Sequence, residues 1–235
     1  MKQENIFSRV PLAERMRPRT LDEILGQEEA VGPQSAFGQI LRRKESAIPS
    51  VVLWGPPGTG KTTIARVIAE SSNYRFVRMS GVLDGVKELR EAVAEAQQTL
   101  QLEGRPTLAL VDEIHRFNKA QQDAFLPHVE SGLLTVIGQT TDNVSFRIRS
   151  ALLSRMKVIP LKPLGAEVIE QIIDQALLSE RGLKHWELKI APEAKRFLAA
   201  SSGGDARRAL NGLEWAAAKA RAENKNLITE DIARE

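Results

Sequence analysis

Cysteine is absent from the 235-residue sequence, and so is any long apolar run. Without cysteine the chain has no disulfide framework and no zinc site built on thiolates. No apolar stretch approaches the roughly 20 residues that a membrane-spanning helix requires. The first ten residues, Met1 to Val10, are polar and lack the apolar segment of a signal peptide. We therefore expect a cytoplasmic protein without a membrane partner.

The chain also has little excess charge, since 33 Lys+Arg against 30 Asp+Glu leave a formal net charge of +3. The sequence pI of about 9.3 permits nucleic-acid binding but does not require it. Apolar residues make up 42% of the sequence and the mean hydropathy is −0.25, which indicates a globular chain with a core. The length suits one large domain or a domain with a smaller companion.

The stretch from Val51 to Thr63 joins a short apolar run, a Gly/Pro-rich turn and a segment with helical spacing. Its G-x-x-x-x-G-K-T pattern is that of the phosphate-binding P-loop. Glycines let the backbone approach an anion closely, and successive N–H groups then surround phosphate oxygens. We expect Lys61 to bind the β- and γ-phosphates of ATP and Thr62 to ligate Mg²⁺. The predicted nucleotide-binding residues are Gly55, Pro56, Pro57, Gly58, Thr59, Gly60, Lys61, Thr62 and Thr63.

A second apolar run, Thr107 to Val111, ends in two acids and resembles a Walker B strand. Asp112 is the predicted Mg²⁺ ligand, and Glu113 is the predicted base that polarises the attacking water. The alternative is a strand that ends on two solvated acids, which the P-loop upstream disfavours. His115 either orients Glu113 or is an ordinary loop histidine.

A third apolar run, Leu133 to Gly138, ends at a polar cluster from Gln139 to Asn143. Thr141 in this cluster is predicted to contact the γ-phosphate or the attacking water, and an ordinary polar turn is the alternative. His128 and His185 show no partner pattern, so the sequence predicts no metal site built on histidine.

Five short apolar runs alternate with helical segments in the first part of the chain. This order predicts a three-layer α/β domain around a parallel five-stranded sheet, with ligands at the carboxyl ends of the strands. After Pro160–Pro163 the spacing is helical, which predicts a small all-helical lid domain. We therefore predict a flexible tail at residues 1–10, an α/β ATPase domain at 11–161 and the lid domain at 162–235.

Two local signals concern helix ends. Thr20 has Glu23 three residues later, a spacing that predicts a capped short helix. Pro127 lies inside the helical pattern from Ala120 to Glu130 and predicts a kink or an early end there.

Several of these features occur in the order typical of AAA+ ATPases. They are the P-loop, Asp112–Glu113, Thr140–Thr141, Ser154–Arg155 and the stretch from Gly204 to Arg207. The linker from Arg17 to Gln27 resembles that of the clamp-loader branch. The stretch from Val111 to Glu130 resembles the signature of the RarA (MgsA) family, which is related to the Werner helicase-interacting protein. Ser150 to Arg155 and Gly204 to Asn211 agree, so the resemblance spans about residues 11–235.

The resemblance implies roles for further residues. Thr141 matches sensor 1, Arg155 matches the arginine finger that acts on the neighbouring subunit's nucleotide, and Arg207 matches sensor 2, which touches the γ-phosphate. From the residues alone, a surface salt bridge is the favoured interpretation of Arg155 and Arg207. The residues that match positions on the base side of the nucleotide are Ala13, Arg17, Ile24 and Leu25.

The sequence departs from the family pattern from Val144 to Arg149, where relatives tend to have proline and more acidic or neutral residues. Whether Arg147 or Arg149 assists the arginine finger is therefore left open. Members of the family continue into a helical domain that forms tetramers. We accordingly expect an ATPase core that is largely monomeric by itself and belongs to a homo-tetrameric full-length protein.

The resemblance implies a DNA-stimulated ATPase that acts at stalled replication forks in recombination and repair, in association with the nucleoid. The implied cofactors are ATP and Mg²⁺. The implied partners are single-stranded DNA, duplex ends or forks, and replication proteins such as single-stranded DNA-binding protein. The alternatives are a clamp-loader subunit, a RuvB-like branch-migration motor and an ATP-switched recruitment scaffold. Glu113 disfavours the scaffold, and the stretch after Asp112 disfavours the RuvB-like motor.

Overall fold

The computed structural model describes residues 10–43 and 47–235. The described residues divide into two compact units, one within 19–162 and the other made of residues 10–18 together with 163–235. The predicted tail at residues 1–10 lies outside the described residues, apart from Val10. Helix α1 (Leu12–Arg15) belongs to the second unit.

The first unit is the α/β domain that the sequence predicts. Its helices are α2 (Glu28–Val31), α3 (Ala36–Arg42), α4 (Lys61–Ser71), α5 (Val86–Glu103), α6 (Lys119–Asp123), α7 (Leu126–Glu130), α8 (Val144–Arg147) and α9 (Ser150–Leu153). Its strands are β1 (Val51–Trp54), β2 (Arg75–Ser80), β3 (Thr107–Asp112), β4 (Leu134–Thr140) and β5 (Lys157–Pro160). They form a parallel sheet in the order β2-β3-β4-β1-β5.

Alternating side chains along the strands build two cores, one on each face of the sheet. In β1, Val51 and Leu53 share a core with residues of α3 and α4, whereas Val52 between them shares a core with residues of α5. In β3, Leu108 and Ala109 divide between the two cores in the same way. Since helices cover both faces, β1 and residues 108–111 of β3 are apolar throughout, and the predicted three-layer arrangement is confirmed.

The two predicted helix-end signals had different outcomes. The helical pattern from Ala120 to Glu130 is interrupted, and Pro127 lies in the first turn of α7, where a missing N–H costs little. The predicted cap at Thr20 is wrong. Leu21–Glu23 form a 3-10 turn in which the Thr20 side chain makes no capping bond. The Glu23 carboxylate accepts a hydrogen bond from the backbone N–H of Arg19 instead, at 3.1 Å.

The second unit is mostly helical. Besides α1 it contains α10 (Ala166–Leu178), α11 (Pro192–Ser202), α12 (Ala206–Ala222) and α13 (Glu230–Arg234). It also contains two short parallel strands, β6 (Lys189–Ile190) and β7 (Leu227–Ile228), which the prediction of an all-helical domain omitted. Two residues per strand are too few for a period of two to appear in the sequence.

The N-terminal segment packs into the helical unit, whereas we predicted residues 11–18 to be part of the α/β domain. Leu12 is fully buried in the core of the helical unit. Its backbone N–H donates to both carboxylate oxygens of Glu214 on α12, each at 3.0 Å. Lys162 also lies on the other side of the predicted boundary, in the α/β unit. Among the described residues, no helix is long and apolar enough to cross a membrane.

Candidate nucleotide-binding site

The loop between β1 and α4 has a backbone that only glycine adopts easily. Gly60, immediately before α4, has a φ of 96°, and Gly58 has a φ of 72°. A Cβ on Gly55 would lie 2.4 Å from the carbonyl oxygen of Leu161, so a side chain there would collide with backbone. The loop leads directly into a helix of 11 residues, and the first turn of a helix is where backbone N–H groups can bind an anion.

Lys61 lies across this loop. Its Nζ donates hydrogen bonds to the carbonyl oxygens of Gly55 and Pro56, each at 2.7 Å. The Thr59 hydroxyl donates to the same Pro56 oxygen at 2.9 Å, and Thr59 is almost fully buried. Pro57 is exposed and Thr63 is half-buried. The ammonium group is thus held inside the curve of the loop.

The register of the sheet brings polar strand ends beside the loop. Trp54 of β1 is level with Thr140 of β4, and Val111 of β3 is level with Gly138 of β4. Across this edge, the backbone N–H of Gly55 donates to the carbonyl oxygen of Thr140 at 3.3 Å. The predicted phosphate loop and the predicted acidic strand end therefore belong to one edge of one sheet.

Gln139 is a residue of this edge that the sequence analysis placed in a turn cluster and did not propose as a site residue. It lies inside β4 and is 1% exposed. Its Oε1 accepts a hydrogen bond from the Thr62 hydroxyl at 2.9 Å. One signal in the sequence could have identified Gln139 as a site residue: it is a polar residue that directly continues the apolar run of a buried strand.

Asp112 ends β3, and Glu113 follows it in an unusual backbone conformation. Glu113 has a φ of 50°, the left-handed region that non-glycine residues seldom occupy. Such conformations cost roughly 1–3 kcal/mol and are frequent at functional sites. The Asp112 carboxylate forms a long ion pair with Arg78, at 3.6 Å, and both side chains are partly exposed. Both acids are accessible at the edge of the sheet.

His115 contacts Glu113, which decides between the two alternatives left open by the sequence. The Nδ1 atom of His115 lies 3.1 Å from a carboxylate oxygen of Glu113 and 2.8 Å from the Thr140 hydroxyl. On the other side of the ring, Nε2 lies 3.7 Å from the carboxylate of Asp142. The His115 side chain is only 6% exposed. It therefore connects Glu113 to the end of β4.

The other two histidines lie elsewhere. His128 is in α7, and partial burial lowers its pKa. His185 is exposed in the helical unit, next to Trp186.

Thr141 follows the last residue of β4 and is exposed, whereas Thr140 before it is fully buried. Arg155 follows α9 and pairs with Glu130 through Nε and Nη2, and both side chains are partly exposed. Within one chain, Arg155 is thus a surface ion-pair residue. Arg147 pairs with Asp142 at 3.2 Å.

The other residues that the sequence analysis assigned to nucleotide contact lie partly in the α/β unit and partly in the helical unit. Ile24 and Leu25 are half-buried in the α/β unit. In the helical unit, Ala13 is half-buried, Arg17 pairs with Glu14, and Arg207 is exposed in the first turn of α12.

The side chains at this edge fit a magnesium–nucleotide complex. Among the described residues, no group of three or more His, Cys, Asp and Glu side chains could hold a metal ion. A cation here would therefore depend on a few protein oxygens together with ligand phosphates, which is how Mg²⁺ commonly binds. Thr62 and Asp112 supply such oxygens, and Lys61 with the start of α4 supplies positive charge for phosphates.

Comparison with known proteins agrees with this geometry. The family described as "ATPase family associated with various cellular activities (AAA)" matches residues 51–164, and "AAA C-terminal domain" matches residues 184–235. Replication-associated recombination protein A of Escherichia coli is 49% identical over 217 residues, which cover 91% of this chain and 47% of that protein. ATPase WRNIP1 of Dictyostelium discoideum is 42% identical, covering 88% of this chain and 23% of that protein.

The structure is similar to that of the Thermotoga maritima RuvB Holliday junction branch migration motor. The TM-score is 0.77 at 28% sequence identity, and the match covers 94% of this chain and 71% of that one. The chain spans about half the length of the replication-associated recombination relatives that it matches. On these matches the chain belongs to the AAA family of nucleotide-binding ATPases, and within it is similar to replication-associated recombination protein A.

Proposed function

We propose that this chain is the ATP-hydrolysing part of a DNA-maintenance protein that acts at stalled replication forks in recombination and repair. The observation that carries the proposal is the bond between the Thr62 hydroxyl and Gln139 at 2.9 Å, which joins the phosphate loop to the edge where Asp112 and Glu113 end their strand. The replication and recombination part of the proposal comes from the names of the relatives.

In this proposal ATP and Mg²⁺ are the cofactors. Lys61 binds the β- and γ-phosphates, and the N–H groups at the start of α4 bind phosphate oxygens. Thr62 and Asp112 hold Mg²⁺, which neutralises phosphate charge when bound. The loop residues from Gly55 to Thr63 surround the phosphates.

Glu113 is the proposed base that takes a proton from the attacking water. Its left-handed backbone turns the residue out of β3, and the contact with His115 restricts its carboxylate. A base that is held in place lowers the barrier more than a mobile one, because less ordering is left for the transition state. We propose Thr141, exposed at the end of the neighbouring strand, as the second polar group beside the reacting phosphate.

Arg155 is the proposed arginine finger for a neighbouring subunit of a homo-oligomer, a tetramer in the whole protein. Its ion pair with Glu130 is on the surface, and such pairs contribute little free energy. A neighbour's γ-phosphate can therefore compete for the guanidinium group. From the family resemblance alone, we propose Arg207 as sensor 2 and the following residues as contacts on the base side of the nucleotide: Ala13, Arg17, Ile24 and Leu25.

DNA is the proposed partner that stimulates hydrolysis, together with replication proteins such as single-stranded DNA-binding protein. The loop after β2 and the start of α5 form an exposed surface with Val82, Leu83, Lys87 and Arg90. Contacts from lysine and arginine to DNA phosphates make binding weaken steeply as salt rises. Lys87 and Arg90 supply the positive charge of this surface for such contacts.

The experiment that tests this function is an ATPase assay without DNA and with single-stranded, duplex-end and forked DNA, at several protein and salt concentrations. We expect hydrolysis that DNA stimulates, with stimulation lost as salt rises. We also expect specific activity to rise with protein concentration, because Arg155 acts between subunits. The Lys61→Ala variant controls for contaminating ATPase. A DNA-independent rate would refute the DNA part of the proposal, and a rate independent of protein concentration would refute the role of Arg155.

The same assay, extended to four-way junctions and to a sliding clamp, separates the alternatives. The structural likeness to RuvB is at 28% identity, below the 49% shared with replication-associated recombination protein A. Stimulation only by four-way junctions would favour a branch-migration motor, and stimulation only together with a sliding clamp would favour a clamp-loader subunit. ATP binding without turnover would favour a recruitment scaffold.

A further inference from the structure

The side chain of Gln139 makes one hydrogen bond and leaves one polar atom unpaired inside the protein. Its Oε1 accepts from the Thr62 hydroxyl at 2.9 Å. Its Nε2 atom is buried and has no hydrogen-bond partner. A buried donor without a partner destabilises the folded state, so the position of this amide calls for a physical reason.

Gln122, another buried glutamine of the same unit, shows the contrast. It is 2% exposed, and its Nε2 donates to the carbonyl oxygens of Phe117 and Arg147, at 2.9 and 3.1 Å. Its Oε1 accepts from the backbone N–H of Arg149 at 2.8 Å. Gln122 thus joins backbone segments, as structural amides do, whereas the bond of Gln139 is to the hydroxyl of a single side chain.

The direction of the hydrogen bond matters because the Thr62 hydroxyl can both donate and accept. A threonine hydroxyl has one proton to donate and two lone pairs to offer. When Gln139 Oε1 takes the proton, both lone pairs of Thr62 Oγ1 remain available to a cation. A hydroxyl without this acceptor is free to rotate and to turn its proton toward the cation. An acceptor at this place therefore selects the rotamer that can ligate a metal.

We propose that Gln139 is a positioning residue for the divalent cation, and that it orients the Thr62 hydroxyl so that its oxygen faces the metal. The proposal rests on the magnesium–nucleotide site proposed above. Groups that orient metal ligands typically contribute 10–100-fold to metal affinity. Placing an acceptor oxygen at this point of the buried strand then leaves Nε2 unpaired, which lowers the stability of the fold.

The test measures nucleotide affinity rather than hydrolysis. The dissociation constant of a non-hydrolysable ATP analogue is measured by calorimetry on the full chain, in Mg²⁺ and in EDTA, and the ratio of the two constants is compared between variants. Gln139→Met has a similar length and no strong acceptor. We expect it to reduce the Mg²⁺-dependent gain in affinity by roughly tenfold or more while leaving affinity in EDTA unchanged.

Two further variants separate positioning from folding. Gln139→Glu keeps acceptor oxygens, and we expect it to retain the Mg²⁺ dependence. Gln122→Met is the matched control, because it removes a buried amide with backbone partners. We expect Gln122→Met to lower the melting temperature without changing the affinity ratio.

Three outcomes would overturn the proposal. They are an unchanged ratio in Gln139→Met, an equal loss of affinity with and without Mg²⁺, and loss of the ratio in Gln139→Glu as well. If the proposed function itself is wrong, the unmodified chain will bind the analogue weakly, or with the same affinity in Mg²⁺ and in EDTA.

Discussion

In the α/β unit, the buried side chain of Gln139 makes one bond and leaves its Nε2 unpaired. In the helical unit, the buried carboxylate of Glu214 has both oxygens bonded to the backbone N–H of Leu12. Arg15 beside it donates to the carbonyl oxygens of Arg181 and Gly182, although its Nε has no partner. The first arrangement holds the Thr62 hydroxyl of the proposed ligand site, and the second fastens a chain segment. In our proposal, buried polar groups therefore have different functions in the two units.

The left-handed backbone of Glu113 extends this comparison. At the sheet edge, the strained acid and the incompletely bonded amide both lie beside the proposed ligand site. The core of the helical unit combines alanines of α12, such as Ala216 and Ala217, with larger side chains such as Ile169. Substitutions at the sheet edge should therefore change nucleotide binding or hydrolysis more than they change the free energy of unfolding. Substitutions of buried polar groups in the helical unit should change the free energy of unfolding more than they change binding or hydrolysis.

The largest expected effect is that of Glu113→Gln on turnover. Removing the base should lower the rate of ATP hydrolysis by about 10²–10⁴-fold, while the affinity for ATP and the melting temperature stay close to those of the unmodified chain. Single-turnover kinetics and calorimetry provide the measurements. If binding disappears together with turnover, Glu113 holds the structure of the edge and the contrast between the two units fails.

Lys61→Ala should have the next largest effect. It removes the cation that the loop carbonyls of Gly55 and Pro56 hold in place. Loss of charge-assisted bonds of about 3 kcal/mol corresponds to roughly hundredfold weaker ATP binding. Lys119→Ala is the matched control, since Lys119 is likewise the first residue of a helix in the same unit. Near-native ATP affinity of Lys61→Ala by calorimetry would rule out the assignment of the phosphate loop.

Glu214→Ala should have the smallest effect in free energy and should act on stability. It leaves the Leu12 N–H without its acceptor in the core of the helical unit, at a cost of about 1–3 kcal/mol. Urea denaturation followed by a probe in the helical unit measures the change. Glu223→Ala, at an exposed carboxylate at the end of the same helix, is the control with a smaller expected change. Equal stability of the two variants would show that the bond to Leu12 contributes nothing.

Much of the site could be predicted because its signals are local. The loop from Gly55 to Thr62 is recognised from the spacing of its own residues, and the acids Asp112 and Glu113 directly follow an apolar run. The alternation of strands and helices could be predicted too, because short apolar runs such as residues 51–53 and 108–111 are typical of strands that helices cover on both faces. The failures concern the partners of polar groups, which packing decides even for neighbours in the chain. Nothing in the sequence around Thr20 shows that Glu23 bonds to Arg19 instead.

The sequence by itself determined the individual strands, the phosphate loop and the acidic strand end, because each depends on residues that are close together in the chain. Only the tertiary structure decided that Leu12 is bonded to Glu214, 202 positions away, and that Thr62 is bonded to Gln139, 77 positions away. The physical reason is that a buried polar atom takes whichever partner the packing of the whole fold brings within hydrogen-bond distance. Periodicity and motif spacing contain no information about that partner.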